Sequence, residues 1–161
     1  MQLIETITNE LTDVNLSLTS PLLKTKLLAS RIGNLTLLTW VTNELNGYKN
    51  QADLPEYRKT TGEIVGDYIN GANMVKNHVL PIPSFDSSFD DELRAFELFD
   101  GIEPLEQMSA LYTENLLKPF NPGQVAVFQD LLANHANTFM NFSLMSVGVR
   151  VPASTVKSVL N

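Results

Sequence analysis

The feature that most constrains this chain is the stretch of residues 20–48, which carries two consecutive runs of apolar residues at helical spacing. Gly33 and Asn34 stand between the two runs. A glycine can end a helix in the left-handed conformation, and an asparagine can cap the next helix at once. Ser20 followed by Pro21 predicts the start of the first helix. The stretch therefore predicts two helices that meet at a sharp corner or as a tight antiparallel pair.

A third helix is predicted before these two, because residues 3–14 show an amphipathic pattern. We expect residues 1–48 to form a three-helix unit. The first helix of the central stretch carries an apolar stripe made of Leu22, Leu23, Leu27, Leu28 and Ile32. The second carries one made of Leu35, Leu38, Val41, Thr42 and Leu45, widened on one side by Leu37 and Trp40.

Residues 49–161 have a mixed pattern, and we expect strands there. Asn70-Gly71 between two runs of strand-like residues predicts a hairpin with a two-residue turn, which would place Glu63 opposite His78. Neither face of this hairpin is uniformly apolar, so we expect it at a sheet edge. A long strand over residues 137–151 changes the phase of its apolar alternation, which predicts a bulge at Leu144 and Met145.

Helical signals follow the hairpin at four places. Acidic residues 90–92 favour a helix N-terminus, and that helix is expected to close at Gly101. Pro104 is expected to open a second, short helix. Asn121-Pro122 predicts a third helix that ends near His135, and residues 154–160 predict a fourth. The expected fold class is α+β, with a three-helix N-terminal unit followed by a small antiparallel sheet, made of the hairpin and the long C-terminal strand, that packs beside two or three further helices.

Length and composition favour one domain over residues 1–161 in the cytoplasm. A chain of 161 residues can bury a core without metals or disulfides, and the absence of cysteine excludes thiol catalysis and is compatible with a reducing compartment. No apolar run approaches the length of a membrane span, and the N-terminus lacks a signal-peptide pattern. We therefore expect no membrane association.

The net charge of −7 is unevenly spread along the chain. Residues 24–59 hold six basic and three acidic residues, whereas residues 86–114 hold nine acidic residues and Arg94. An acidic balance argues against nucleic acid as a partner, because phosphate binding depends on clustered Lys and Arg. The two regions could steer one copy of the chain towards another, or could simply be solvated surfaces.

No recognisable catalytic motif is present, and we expect no catalytic residue, cofactor or metal. The chain lacks phosphate-binding glycine loops, zinc-protease motifs and esterase elbows. The alternative is a nucleic-acid- or nucleotide-processing enzyme that uses an acidic site near residues 86–92, with Asp86, Asp90, Asp91 and Glu92 as magnesium ligands. Adjacent carboxylates on a helix point in different directions, so a role in the first helical turn is preferred.

Five residues are the candidates for partner binding, because Trp, Tyr and Arg are the usual anchors of protein interfaces. They are Trp40, Tyr48, Tyr57, Arg58 and Lys59. In the alternative interpretation, Trp40 fills core space between helices and Tyr57 covers it.

Three segments follow one another in the chain: L-L-K-T-K-L-L-A-S-R-I-G-N at 22–34, W-V-T-N-E-L-N-G-Y at 40–48 and L-P-E-Y-R-K at 54–59. In this order they resemble the N-terminal domain of the AbiTii family. The family is associated with bacterial abortive infection, in which a cell blocks phage propagation at its own expense. The resemblance implies phage defence, and further sequence beyond Asn161 in a longer protein. It supplies no catalytic residue.

Together these observations favour a non-catalytic recognition or self-association module of an antiphage defence protein. The expected partner is a second copy of the chain, or a phage or host protein.

Overall fold

The computed structural model describes residues 2–13, 16–82, 87–112, 114–135 and 142–160. Over these ranges the fold is α+β. In chain order the elements are α1 (Gln2–Thr12), α2 (Thr19–Ile32), α3 (Leu35–Asn46), β1 (Lys59–Thr61), β2 (Glu63–Asn70), β3 (Asn73–Val79), α4 (Ser87–Arg94), β4 (Ala95–Glu97), α5 (Ile102–Leu111), β5 (Asn115–Pro119), α6 (Pro122–His135), β6 (Ser143–Pro152) and α7 (Ser154–Leu160). None of the helices in these ranges is long and apolar enough to cross a membrane.

The described residues group into two compact units. The helical unit comprises Met1–Lys59, Glu97–Thr113 and Ala153–Asn161, and it contains α1, α2, α3, α5 and α7. Its interior includes Leu22 of α2, Val41 of α3 and Ile102 of α5. The sheet unit comprises Thr60–Phe96 and Glu114–Pro152, and it contains the larger sheet with α4 and α6.

The corner between α2 and α3 forms as the sequence predicts. Gly33 adopts the left-handed conformation with φ of 69°, which a glycine enters without steric cost. The N–H of Asn34 reaches back to the carbonyl of Ala29, so the end of α2 is closed. The Asn34 side chain then accepts a hydrogen bond of 3.0 Å from the N–H of Leu37 and caps α3.

The start of α2 differs from the prediction of a Ser20 cap. The helix begins at Thr19, and Leu18 at its N-cap position offers no side-chain hydrogen bond. The carboxylate of Glu106, on α5, accepts hydrogen bonds of 2.7 Å from the Leu18 N–H and from the Ser17 hydroxyl. The free N–H groups of a helix start can be satisfied by a residue distant in sequence, and no local pattern reports such a partner.

The apolar stripe predicted on α2 is only partly buried. Leu22 is buried, whereas Leu23 and Leu27 are 54% and 47% exposed. These two leucines are one helical turn apart and therefore share a face of α2. An unfilled apolar face of this kind is available for contact with another molecule.

The larger sheet has four antiparallel strands in the order β3-β2-β6-β5, and β1 and β4 form a separate two-stranded sheet. The core beside the larger sheet is made of Ile64, Tyr68, Leu80, Phe128, Leu132, Leu144 and Val147. Phe128 and Leu132 come from α6, which packs on β6. Strand β3 lies at an edge of this sheet, so the edge position predicted for the hairpin is confirmed for β3.

The hairpin forms, but its predicted register is wrong. Asn70 pairs with Asn73, so the turn residues are Gly71 and Ala72 rather than Asn70 and Gly71. Gly71 has φ of 61°, and glycine at the first central position is what one class of tight hairpin turn requires. A further irregularity lies between Gly66 and Tyr68.

The corrected register separates the predicted Glu63–His78 pair. His78 lies opposite Gly66, and its ring contacts the Tyr68 ring edge-on at 6.0 Å between centroids. Glu63 instead faces Arg150 of β6 and forms an ion pair with it at 2.6 Å. Glu63 and His78 therefore do not lie opposite each other.

The predicted bulge in β6 is confirmed. Asp67 pairs with Ser146 and Tyr68 with Leu144, so Met145 is the extra residue on β6. The extra residue lets Leu144 and Val147 both face the core despite the change of phase. The strand begins at Ser143, and residues 137–141 of the predicted strand lie outside the described residues.

Residues 90–101 do not form one helix as expected. Helix α4 ends at Arg94, and Ala95–Glu97 pairs with β1 as a strand. Phe96 and Leu98 are both buried, two residues apart, which is the spacing of a strand. Strands β1 and β5 were also not predicted. The helix predicted after Asn121 is confirmed, and the Asn121 side chain caps it. The helix predicted over residues 154–160 is also confirmed.

Candidate functional site

The strongest polar cluster in the helical unit is built around Glu44, a residue that the sequence analysis did not select. Glu44 lies on α3 and Arg58 lies in the turn before β1, and both side chains are almost fully buried. Arg58 Nη2 donates to Glu44 Oε2 at 2.6 Å. Arg58 Nη1 donates to the carbonyl oxygens of Leu98 and Asp100 at 3.0 and 2.6 Å. Arg58 thus ties α3 to the segment that precedes α5.

Two tyrosine hydroxyls complete the surroundings of the Glu44 carboxylate. Tyr48 and Tyr57 each donate a hydrogen bond of 2.5 Å to Glu44 Oε1. The Arg58 guanidinium also lies over the Tyr48 ring, 5.0 Å from its centroid. A buried carboxylate needs partners of this kind, because an unpaired charge in the interior is strongly unfavourable.

The network reaches the surface at Trp40 and Tyr57. The Trp40 indole N–H donates to the Tyr57 hydroxyl at 2.9 Å. Their side chains remain open to solvent, with Trp40 40% and Tyr57 50% exposed. We call this pair the Trp40–Tyr57 surface. Trp40 therefore does not fill the core in the way that the alternative interpretation supposed.

The structure brings four of the five predicted partner-binding residues together. Trp40, Tyr48, Tyr57 and Arg58 all join the Glu44 network. Lys59 instead pairs with the exposed Glu56 at 2.8 Å. Because Tyr48 and Arg58 are buried, they support the site from inside, and contact with a partner falls to Trp40, Tyr57 and Lys59. Their role in binding stays a prediction.

The two tyrosines make the stability of the fold sensitive to alkali. Burial, followed by the hydrogen bond to the Glu44 carboxylate, raises the pKa of Tyr48 and of Tyr57 above the ordinary value of 10.0. The unfolded chain therefore loses these protons at a lower pH than the folded chain. We expect the free energy of unfolding to be constant through neutral pH and to fall as the pH rises past about 10.

Urea unfolding across the alkaline range measures this effect, with Tyr48→Phe as the control. The phenylalanine variant has one fewer tyrosine to ionise, so its stability should decline less steeply with pH. Equal slopes for the two proteins would contradict the assignment of the alkaline loss to Tyr48.

One carboxylate of the acidic region suggested as an enzyme site, that of Asp90, is engaged within α4. Asp90 pairs with Arg94 at 2.8 Å through Oδ2, while its Oδ1 is buried without a hydrogen bond among the described residues. Asp86 lies outside the described residues, as does the side chain of His135. Within the described part of the chain, no three His, Asp or Glu side chains gather in a way that could hold a metal ion.

Comparison with known proteins identifies the family. The model of the AbiTii family matches residues 2–161, nearly the whole chain. No curated protein and no solved structure gives a significant match. The family match extends beyond the three segments that first suggested it and includes the β6–α7 end of the chain. The chain therefore belongs to AbiTii, a family of abortive-infection proteins.

Proposed function

We propose that this chain is a non-catalytic recognition or self-association module in abortive-infection phage defence. Family membership supports the setting in phage defence. The observation that supports recognition is the Trp40–Tyr57 surface, in which two half-exposed aromatic rings are joined to a buried ion pair. The partner in this proposal is a second copy of the chain, or a phage or host protein.

The chemistry of the surface suits protein binding for two reasons. Tryptophan and tyrosine offer large contact areas with few rotatable bonds, so little entropy is lost when they bind. The hydrogen bonds from Trp40 to Tyr57 and from Tyr57 to Glu44 already fix these rings. A surface that is ordered before binding avoids part of the ordering cost that weakens association.

Replacement of the aromatic residues tests the proposal. In cells that carry the gene and are challenged with phage, we expect Trp40→Ala and Tyr57→Ala each to lower protection by at least ~10-fold, because truncation of an interface anchor costs about 2 kcal/mol or more. The matched control is Tyr112→Ala, since Tyr112 is 48% exposed and lies in the same unit. Melting temperatures of the purified variants show whether folding is retained.

The same assay distinguishes the recognition proposal from the enzyme alternative. A double replacement, Asp90→Asn with Asp91→Asn, removes two carboxylates from the acidic region. In our proposal this variant retains protection. Loss of protection with an unchanged melting temperature, together with full protection by Trp40→Ala, would contradict a recognition role and favour chemistry at the acidic region.

A further inference from the structure

An apolar groove of about 370 Å³ lies in the sheet unit between α4, α6 and the end of β5. Its apolar lining is made of Phe89, Leu93, Phe120, Val127, Phe128 and Leu131. The rings of Phe120 and Phe128 stack on each other with 5.4 Å between their centroids, so this part of the lining is well packed. Val127 on α6 is 67% exposed, which places an apolar residue at the mouth of the groove.

The two helices beside this groove are acidic. Helix α4 carries Asp90, Asp91 and Glu92. Among the described residues, Asp90 is the one of these three that forms an ion pair, with Arg94. Glu92 lines the groove itself, and α6 adds the exposed Asp130. Lys118 is the basic residue of the lining, and its ammonium donates to the carbonyl of Ala95 at 3.3 Å.

Helix α2, in the helical unit, also has exposed apolar residues, but its charged residues are basic. Its exposed face presents Leu23 and Leu27 one turn apart. The charged residues of this helix are Lys24, Lys26 and Arg31, and none of its residues is acidic. Lys24 bonds to Glu10 of α1, which leaves an excess of positive charge along α2.

We propose that the α2 face of one copy binds the α4–α6 groove of a second copy. Leu23 and Leu27 enter the groove as i and i+4 anchors, which is the way an amphipathic helix binds an apolar groove. Lys26 and Arg31 approach the acidic helices of the other copy. This inference rests on the self-association half of the proposed function and assigns the contact to surfaces other than the Trp40–Tyr57 surface.

Charge complementarity selects a second copy as the occupant. One chain carries both a basic helix with exposed leucines and an acidic groove with exposed apolar residues, so each copy supplies what the other lacks. The contact joins two different surfaces and is therefore heterologous. After two copies bind, one copy still has a free groove and the other still has a free α2 face. Each free surface can bind a further copy, so assembly grows beyond a dimer as the protein concentration rises.

Two charged replacements at exposed positions test this arrangement. Leu27→Asp disables the α2 face and Val127→Asp disables the groove, and neither introduces a charge into the core. By light scattering after size-exclusion chromatography, we expect the unmodified chain to form concentration-dependent assemblies that shrink at high salt. Each variant alone should be monomeric. An equimolar mixture should form a one-to-one dimer, because the intact groove of one variant binds the intact α2 face of the other.

The control is Leu111→Asp, at a highly exposed position on α5. It should assemble as the unmodified chain does. A monomeric unmodified chain at all concentrations would overturn the inference, and so would a mixture that stays monomeric. Loss of assembly in Trp40→Ala with assembly retained in Leu27→Asp would also overturn it, but would leave the proposed function standing on the Trp40–Tyr57 surface.

Discussion

Arg58→Ala is expected to lower the free energy of unfolding by about 3–5 kcal/mol, the usual cost of removing one partner from a buried ion pair. The carboxylate of Glu44 would stay buried beside two tyrosine hydroxyls without its counter-charge. The carbonyl oxygens of Leu98 and Asp100 would lose their donor at the same time. Urea unfolding at neutral pH measures the loss directly.

The adjacent residue provides the control for this experiment. Lys59→Ala removes a cation whose partner, Glu56, is largely exposed, and such surface replacements usually change stability by less than about 0.5 kcal/mol. An equally small loss of free energy of unfolding in Arg58→Ala would mean that solvent reaches Glu44 and that the network is not a rigid support.

A double variant separates the charge from the packing. In the Arg58→Ala background, Glu44→Gln removes the unpaired charge but keeps an oxygen that accepts hydrogen bonds from the tyrosines. We therefore expect the double variant to be more stable than Arg58→Ala alone, so the two replacements should be strongly non-additive. This result would show that the uncompensated carboxylate, rather than a cavity, dominates the loss.

Features encoded by adjacent residues could be predicted from the sequence. The left-handed Gly33 and the capping Asn34 act within one helical turn, so their roles are visible in a short window. The bulge at Met145 was also predictable, because the apolar alternation itself slips by one residue there. In both places the local chemistry and the final packing agree.

The hairpin register could not be read in the same way. Both Asn70-Gly71 and Gly71-Ala72 can form a two-residue turn, and the choice depends on the pairing of β2 with its neighbours. Strand β2 pairs on its other side with β6, more than seventy residues away, including the ion pair between Glu63 and Arg150. Non-local pairing of this kind outweighs the local turn preference.

The candidate site was only half predictable. Residue type pointed to Trp40 and Tyr57, but the Glu44 carboxylate that accepts the hydrogen bond of the Tyr57 hydroxyl carries no motif. Its position four residues after Trp40 and four before Tyr48 places all three along one side of α3 and its end, which is the one local signal that could have identified it. Leu98 and Asp100 contribute through their backbone carbonyl oxygens, which accept hydrogen bonds from Arg58, 40 and 42 residues earlier in the chain. No local pattern indicates such contacts.

The exposed leucines of α2 show a further limit of the sequence pattern. A helical stripe has the same appearance whether its leucines face the core of the same chain or the surface of another molecule. Leu22 and Leu23 are adjacent in sequence, yet one is buried and the other is exposed. Only the packing of α1 and α3 on α2 separates these two roles.

Gly47→Ala is expected to cost about 3 kcal/mol or more, because two penalties combine. Gly47 follows α3 with φ of 88°, a conformation that residues with a side chain rarely adopt. An added Cβ would also lie 2.6 Å from the carbonyl oxygen of Phe99. That oxygen accepts the N–H of Tyr48 at 2.8 Å, so any backbone shift that relieves the contact would disturb the tyrosine beside Glu44.

Gly33→Ala is the matched comparison for this replacement. Gly33 also has a positive φ, 69°, but apart from Gly33 itself and its neighbours in the chain no atom would lie within 4 Å of an added Cβ. It should therefore lose only the conformational part, about 1–2 kcal/mol. Urea unfolding of both variants measures the difference between them, which combines the steric contact with the less accessible backbone conformation of Gly47, whose ψ is 165° against 21° at Gly33. Equal losses would mean that the segment around Phe99 moves freely away from α3, and Arg58 could then not be holding it in place.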